Sequence, residues 1–275
     1  MMRQYSASLF LLLLTSLFIF SSCSSSKVDV DSDVGKVRKV GLVSVSANRG
    51  IRKMGLIPSV TEVASKLSSV GEDQLDKENQ DEKISAMLNH AATSLSHKLN
   101  QSMGWHFTPV DELVSNEAYK KFIEKVKTIT DAAAFSSVTK LGYASVKGME
   151  RIPVEEEGVD KRFKEELETL AKQLGLDAVM VVNLDIAYTS GTSLMGYGTA
   201  VASVGLGCSL IAKNGDELIT TGEAEEDETF RAESEKSVAM IMGEIAFFDD
   251  DVQKMIQDSI TKGINKFSDK IVAEK

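Results

Sequence analysis

Apolar residues return at three- and four-residue steps in five stretches of the chain, a spacing that places them on one face of a helix. These stretches are residues 84–99, 119–126, 163–174, 238–245 and 252–267. The third has boundary signals as well, because Asp160 can cap its start and Gly175 is a natural stop. Ser59 and Glu62 have capping-box spacing and predict one more short helix. The highly charged residues 71–83 are predicted to form an exposed connection.

Other stretches are rich in β-branched residues or alternate strictly, which is typical of strands. Residues 178–182 are apolar at every position and predict a strand covered on both faces. Residues 200–212 alternate, with Cys208 on the apolar side. Asn214-Gly215 then predicts a type I′ turn and an antiparallel return over residues 217–225. Further extended segments are predicted at residues 37–47, 105–107 and 143–146.

Together these elements predict an α/β protein, an α+β sandwich in which helices pack on a mixed sheet of about five strands ending in an antiparallel meander. The chain has 275 residues and is 43% hydrophobic, so it can bury a sizeable core without disulfides. We therefore predict a single domain over residues 37–275 that ends in helices.

Charge narrows the choice of partner. The formal net charge is −10, whereas binding to nucleic acid needs clustered Lys and Arg that displace counterions from phosphates. Nucleic acid is therefore not an expected partner. Mean hydropathy is −0.08, and the stretch that resembles a membrane segment is the N-terminus.

At the N-terminus, Arg3 precedes an apolar run over residues 9–20, which is too short to span a bilayer and ends in small residues. This pattern predicts a secretory signal peptide over residues 1–22. The following Phe20-Ser21-Ser22-Cys23 resembles the lipobox of bacterial lipoproteins, although Phe20 stands where that family usually has Leu. The resemblance implies cleavage between Ser22 and Cys23 and acylation of Cys23. An ordinary signal peptide with a chance cysteine is the alternative.

Residues 23–36 are predicted to be a flexible, lipid-anchored tether, because their Ser, Asp, Val and Lys follow no helical period. Asp29, Asp31 and Asp33 do not match a calcium loop, since Gly35 and Val40 fall at the wrong positions for its glycine and glutamate. The sorting habit of many lipoproteins makes the outer membrane the favoured destination for a chain with Ser24 after its cysteine.

Candidate chemistry is sparse. His90 and His97 would lie about 10.5 Å apart along a helix, too far to share a metal ion. Gly191 and Gly196 have phosphate-loop spacing, but Tyr197 stands where lysine is required. Cys208 is best explained as a small core residue. The sequence therefore predicts no catalytic residue, metal or cofactor.

Four segments resemble envelope lipoproteins of the curli-secretion-channel type and the amino-terminal domain of TolB. They are residues 40–43, the predicted helix that precedes residues 105–107, residues 170–179 and residues 213–218. The resemblance implies an α/β sandwich and an assembly role. The channel members also insert hairpins into the outer membrane; the candidates here, residues 142–159 and 188–198, lack the sustained alternation that this needs.

The leading expectation is a lipid-anchored envelope protein that binds or scaffolds other envelope proteins, with possible homo-oligomers, and is not an enzyme. One alternative is a small-ligand receptor or enzyme whose site is built from loops, with Asp185, Tyr188 and Tyr197 as candidate residues. A component of an oligomeric secretion channel is the second alternative.

Overall fold

The computed structural model describes residues 29–48, 52–53, 74–132, 142–155, 157–194, 197–222, 231–241, 244–245 and 250–275. The predicted signal peptide, the lipobox and the short helix at Ser59 lie outside these ranges.

Twelve strands occur within the described ranges. They are β1 (Asp29–Val30), β2 (Lys39–Asn48), β3 (Arg52–Lys53), β4 (His106–Phe107), β5 (Tyr143–Ser145), β6 (Val154–Glu155), β7 (Gly158–Val159), β8 (Ala178–Leu194), β9 (Tyr197–Ala212), β10 (Glu217–Thr220), β11 (Ala232–Ile241) and β12 (Glu244–Ile245). The helices are α1 (Gln74–Met103), α2 (Val110–Ser115), α3 (Glu117–Ala132), α4 (Lys161–Gln173) and α5 (Asp250–Glu274), with a 3₁₀ helix at Ser32–Lys36.

The centre of the fold is β8, which pairs in parallel with β2 on one side and antiparallel with β9 on the other. The main path of the sheet runs β1-β10-β9-β8-β2-β4. Four further strands attach beside this path, with β11 along the N-terminal half of β9. The mixed sheet and its antiparallel β8-β9-β10 meander confirm the predicted fold class, although ten strands join it where about five were predicted.

Helices cover both faces of the sheet, as the class requires. Lys262 of α5 donates to Ser234 Oγ at 2.9 Å, on the face that also carries Cys208, and α1 packs beside α5. On the opposite face, Lys164 of α4 lies 3.7 Å from Glu217, and α3 packs beside α4. Residues 178–187 of β8 and 202–211 of β9 are buried between these layers, which explains the unbroken apolar run at residues 178–182.

The predicted stripes at 84–99, 119–126, 163–174 and 252–267 are confirmed as the buried faces of α1, α3, α4 and α5. Asp160 caps α4 by accepting from Arg162 N at 2.9 Å, and Gly175 follows with φ of +64°. The exposed connection predicted at 71–83 is wrong over its described part, because α1 begins at Gln74. The residues from Gln74 onward extend a helix whose later turns pack on the core. Adding turns to a formed helix costs little free energy compared with starting a new one.

Two predictions in the C-terminal half are wrong. The helix over residues 238–245 is replaced by β11 and β12, and β11 pairs antiparallel with β9 over eight positions. The type I′ turn is replaced by a three-residue loop, in which Ala212 N donates to Asp216 O at 2.8 Å and Gly215 has φ of +88°. Beyond this loop the β9–β10 register shifts once, between Glu217 and Ile219.

The tether prediction is wrong at its C-terminal end. Residues 29–36 belong to the fold, since β1 pairs with β10 and Val34 of the 3₁₀ helix is fully buried. The folded body therefore includes residues 29–36, which precede the predicted start at residue 37.

Candidate functional site

The predicted site residues lie in different parts of the chain. Ser22 and Cys23 are outside the described ranges. Asp185 and Tyr188 lie on β8 and Tyr197 on β9, so they belong to strands rather than to a loop. Tyr188 pairs with Ala202, which is five residues, or about 16 Å, along β9 from Tyr197. Asp185 and Tyr188 are three residues apart on the same strand.

Asp185 forms a buried ion pair. Its carboxylate lies 2.8 Å from Arg231 Nη2, and the two side chains are 5% and 11% exposed. Arg231 also donates to Ser203 Oγ at 3.1 Å. In the strand register Gly205 of β9 lies between Asp185 and Arg231. Because Gly205 has no side chain, the Arg231 guanidinium can extend across β9 to the Asp185 carboxylate. The pair thus fastens the start of β11 to the centre of the sheet.

A row of polar side chains on the same face is also engaged. Ser46 Oγ donates to Asn183 Oδ1 at 2.7 Å, and Asn183 Nδ2 donates to Ile152 O at 3.0 Å. Ser44 Oγ donates to Glu150 O at 2.8 Å and accepts from Ile152 N at 3.2 Å. Buried polar groups need such partners, and these hold the segment over residues 150–152 against the sheet.

A third polar centre is Glu217 of β10, which lies beneath the β6–β7 hairpin. Its Oε1 accepts from Val159 N at 2.9 Å and also from the Ser209 hydroxyl. Lys164 Nζ lies 3.7 Å from Oε2. The carboxylate therefore joins the hairpin, the sheet and α4.

Cys208 is confirmed as a core residue, with no exposed surface. Burial raises the pKa of its thiol, and the negative charge of Glu217 raises that pKa further. A nucleophilic cysteine needs the opposite shift, so this thiol is poorly suited to attack a substrate.

Ligand chemistry is limited in the described ranges. There, no group of three or more His, Cys, Asp or Glu side chains is placed to share a metal ion. His90 Nε2 is 3.1 Å from Thr261 Oγ1 at the contact between α1 and α5, and His97 Nε2 is 3.3 Å from Gln101. Both histidines are thus in hydrogen-bonding surroundings rather than beside a second ligand.

The entry segment, residues 29–36, carries the chain from the predicted lipid into the fold. Asp29 and Val30 pair with Thr220 and Ile219, and Asp31 N donates to Leu218 O at 2.9 Å. Asp31 then caps the 3₁₀ helix by accepting from Asp33 N at 2.7 Å.

This attachment was missed from the sequence, where residues 29–36 were assigned to the tether. The available signals were the Asp31-x-Asp33 cap and the isolated Val30 and Val34.

Within the described residues, no helix is both long and apolar enough to cross a membrane.

The described residues thus define an α/β sandwich whose first strand begins six positions after a lipobox-like cysteine. The chain matches no protein-family model and no curated protein. It is similar to a solved structure of the LpoB C-terminal domain from Salmonella enterica, over 74% of this chain and 83% of that chain, with 6% identity and a TM-score of 0.21. A TM-score this low establishes neither a shared fold nor a shared function. The resemblance to the curli-channel and TolB types has no support from a family model.

Proposed function

We propose that this chain is an exported envelope protein, anchored by lipid on Cys23, that binds or scaffolds other envelope components without catalysing a reaction. The observation that carries the proposal is the position of Phe20-Ser21-Ser22-Cys23, after an apolar run of signal-peptide length and directly before the folded body. Several acyl chains, at about 0.8 kcal/mol per buried CH₂, would make such an anchor effectively stable.

The engagement of the buried polar groups supports a non-catalytic role. Asp185 is paired with Arg231, Asn183 holds Ile152, and Glu217 holds the β6–β7 hairpin. Each of these side chains holds two parts of the fold together. The raised pKa of the Cys208 thiol also makes it a poor nucleophile. An enzyme or ligand receptor would instead need polar groups that converge on a substrate.

The anchor is tested with Cys23→Ser in intact cells, with Cys208→Ala as the matched control. Wild type and the Cys208→Ala variant are expected to incorporate labelled palmitate and to stay with membranes after a high-salt wash. The Cys23→Ser variant should incorporate none, a readout that separates lipid from an uncleaved signal peptide. Palmitate on the Cys23→Ser variant would show that the anchor is misassigned.

The binding role is tested by crosslinking in intact cells and affinity capture. A defined set of envelope proteins, recovered with wild type and lost with the Cys23→Ser variant, is the expected result. Native mass spectrometry of the lipidated protein tests homo-oligomers and the secretion-channel alternative, because a strict monomer would remove both. Membrane fractionation tests the outer-membrane destination.

A further inference from the structure

We infer that the protein holds the β1 edge of its sheet against the headgroups of the membrane that carries its lipid, with the β4 edge directed away. This inference rests on the proposed acylation of Cys23 and adds an orientation to it. It follows from the shortness of the connection between Cys23 and the first strand, compared with the width of the sheet.

The chain is firmly attached from Asp29 onward. Both residues of β1 pair with β10, and Asp31 N donates to Leu218 O at 2.9 Å. Val34 is fully buried, and Arg38 Nη1 donates to Gly35 O at 2.8 Å. The entry segment therefore cannot lengthen the connection to the anchor. The distance between Cys23 and the fold is limited by the residues between Cys23 and Asp29.

Asp29 follows Cys23 by six positions (29 − 23 = 6). Six residues span about 20 Å even when fully extended, at 3.3–3.6 Å each. The Cα of Asp29 must therefore stay within about 20 Å of the acylated residue, which lies at the membrane surface.

The sheet is wider than this connection. From β1 to β4 the path crosses five strand intervals, which amount to about 24 Å at 4.7–4.9 Å per interval. If the β4 edge faced the membrane with β1 uppermost, the connection would have to exceed its extended length. That inverted orientation is therefore excluded. Of the two edges β1 is the one that the connection can hold at the lipid, and the quenching experiment below distinguishes this orientation from a sheet that lies flat.

Charge does not supply the contact. The exposed side chains of the entry segment include Asp31, Asp33 and Lys36, and Asp29 is exposed just before them. Within residues 29–36 three carboxylates face one ammonium, and the neighbouring cations Arg38 and Lys275 beside Gly35 only balance this excess. The local charge is therefore near neutral and gives no net attraction to anionic lipids. The proximity is therefore imposed by the short connection, and it should be insensitive to salt.

The test uses the full lipidated protein in vesicles of phosphatidylcholine and phosphatidylethanolamine that contain a nitroxide-headgroup lipid as quencher. A fluorophore is placed on Ser32→Cys in the entry segment or on Glu112→Cys in α2, which follows β4 along the chain and packs beside β2; both positions are exposed. Buried Cys208 and acylated Cys23 leave the introduced thiol as the reactive one. Flotation with the vesicles is measured on the same samples.

The expected result is quenching at residue 32 that exceeds quenching at residue 112 by about twofold or more, since about 24 Å of sheet separates the two edges. Equal quenching would show a domain lying flat and would overturn the inference. Failure to float would instead overturn the lipid anchor, so the two failures are distinguishable.

A second variant inserts about 20 Gly and Ser residues after Ser24, which raises the extended reach to about 90 Å. Quenching at residue 32 should then fall by about half or more while flotation is unchanged. Unchanged quenching would mean that the domain adheres to lipid by itself and would overturn the role given to the short connection.

Discussion

At the scale of single residues, Asp177 shows how one carboxylate joins distant parts of the chain. Its Oδ2 accepts from Arg38 N at 3.1 Å and from Lys39 N at 3.0 Å, and Lys213 Nζ lies 3.3 Å from Oδ1. The backbone hydrogen bond from Lys39 is the largest cause of the lowered pKa of this carboxyl; Arg38 and Lys213 add to it, and partial burial opposes it. Asp177 therefore links the start of β2 to the start of β8 at one end of the sheet.

We predict that Asp177→Ala lowers the free energy of unfolding by about 1–3 kcal/mol, because two backbone donors lose their acceptor. Urea unfolding at neutral pH measures this loss. Since the folded pKa is lowered, the contribution of Asp177 is complete above the unfolded pKa of about 4 and is lost as pH falls through the folded pKa. The difference between wild type and variant should therefore shrink in acid.

Asp258 provides the matched control, because it is an exposed aspartate of α5. Its change to alanine should alter stability by less than about 0.5 kcal/mol. If the Asp177→Ala and Asp258→Ala variants unfold at the same urea concentration, Asp177 has no stabilising role.

At the scale of elements, the β6–β7 hairpin depends on a glycine pressed against a carboxylate. Gly158 has φ of +110°, and a Cβ there would overlap the side chain of Glu217. Gly158→Ala is predicted to cost about 1–3 kcal/mol, from backbone strain together with the displaced carboxylate. Thermal unfolding measures the loss.

Two further variants separate the causes at Gly158. Gly142→Ala is the control, because nothing lies within 4 Å of a Cβ at that position, and its effect should be small. Adding Glu217→Ala to Gly158→Ala removes the overlap but not the strain, so the two changes should cost less together than their sum. Strict additivity would contradict the proposed contact.

The attachment of β11 gives a second prediction at this scale. Arg231→Met leaves Asp185 buried without its cation, and the expected loss is about 3–5 kcal/mol. The double variant Asp185→Leu with Arg231→Met should lose less than Arg231→Met alone, because no unpaired charge remains buried. Urea unfolding of the wild type, the two single variants and the double variant measures these differences as a double-mutant cycle. A double variant less stable than either single variant would contradict the conclusion that Asp185 and Arg231 mainly neutralise each other.

Sequence patterns predict these elements well where large apolar residues mark one face. The stripes of α1 and α5 are of this kind, as is the run at residues 178–182. By contrast, the alternation in β11 is carried by the small buried residues Ala232 and Ser234, whose hydrophobic signal is weak. Val238 and Ile241 nearby are spaced as on one face of a helix, so the sequence predicts a helix there.

The candidate site was less predictable because its features depend on pairing between distant strands. Asp185 is a polar residue after an apolar run, and the sequence does not reveal that Arg231, 46 residues later, neutralises it. Nearby glycines favour a loop at Tyr188 and Tyr197, yet β8 continues past Tyr188 to Leu194 and β9 begins at Tyr197. The pairing register between distant strands, rather than the local composition, determines which residues these side chains lie beside.

At the scale of the whole molecule, the boundary of the folded body decides how close the domain lies to its anchor. The sequence predicts residue 37 as the first folded residue, whereas the structure already includes residues 29–36 in the fold. We predict that a chain beginning at residue 37 is less stable than one beginning at Asp29 by about 3 kcal/mol, since burial of a valine alone contributes about 1.5–3 kcal/mol. Urea unfolding of the two purified chains measures the difference.

The reason is that residues 29–36 close one edge of the sheet and add to its core. Without them β10 loses its partner strand, Leu218 O loses the hydrogen bond from Asp31, and Val34 leaves its buried site. Val34→Ala in the longer chain serves as the control and should give an intermediate loss of about 1–2 kcal/mol. If both truncated chains unfold at the same urea concentration, residues 29–36 act as a tether, the connection to Cys23 is longer than six residues, and the membrane-facing edge has to be reassigned.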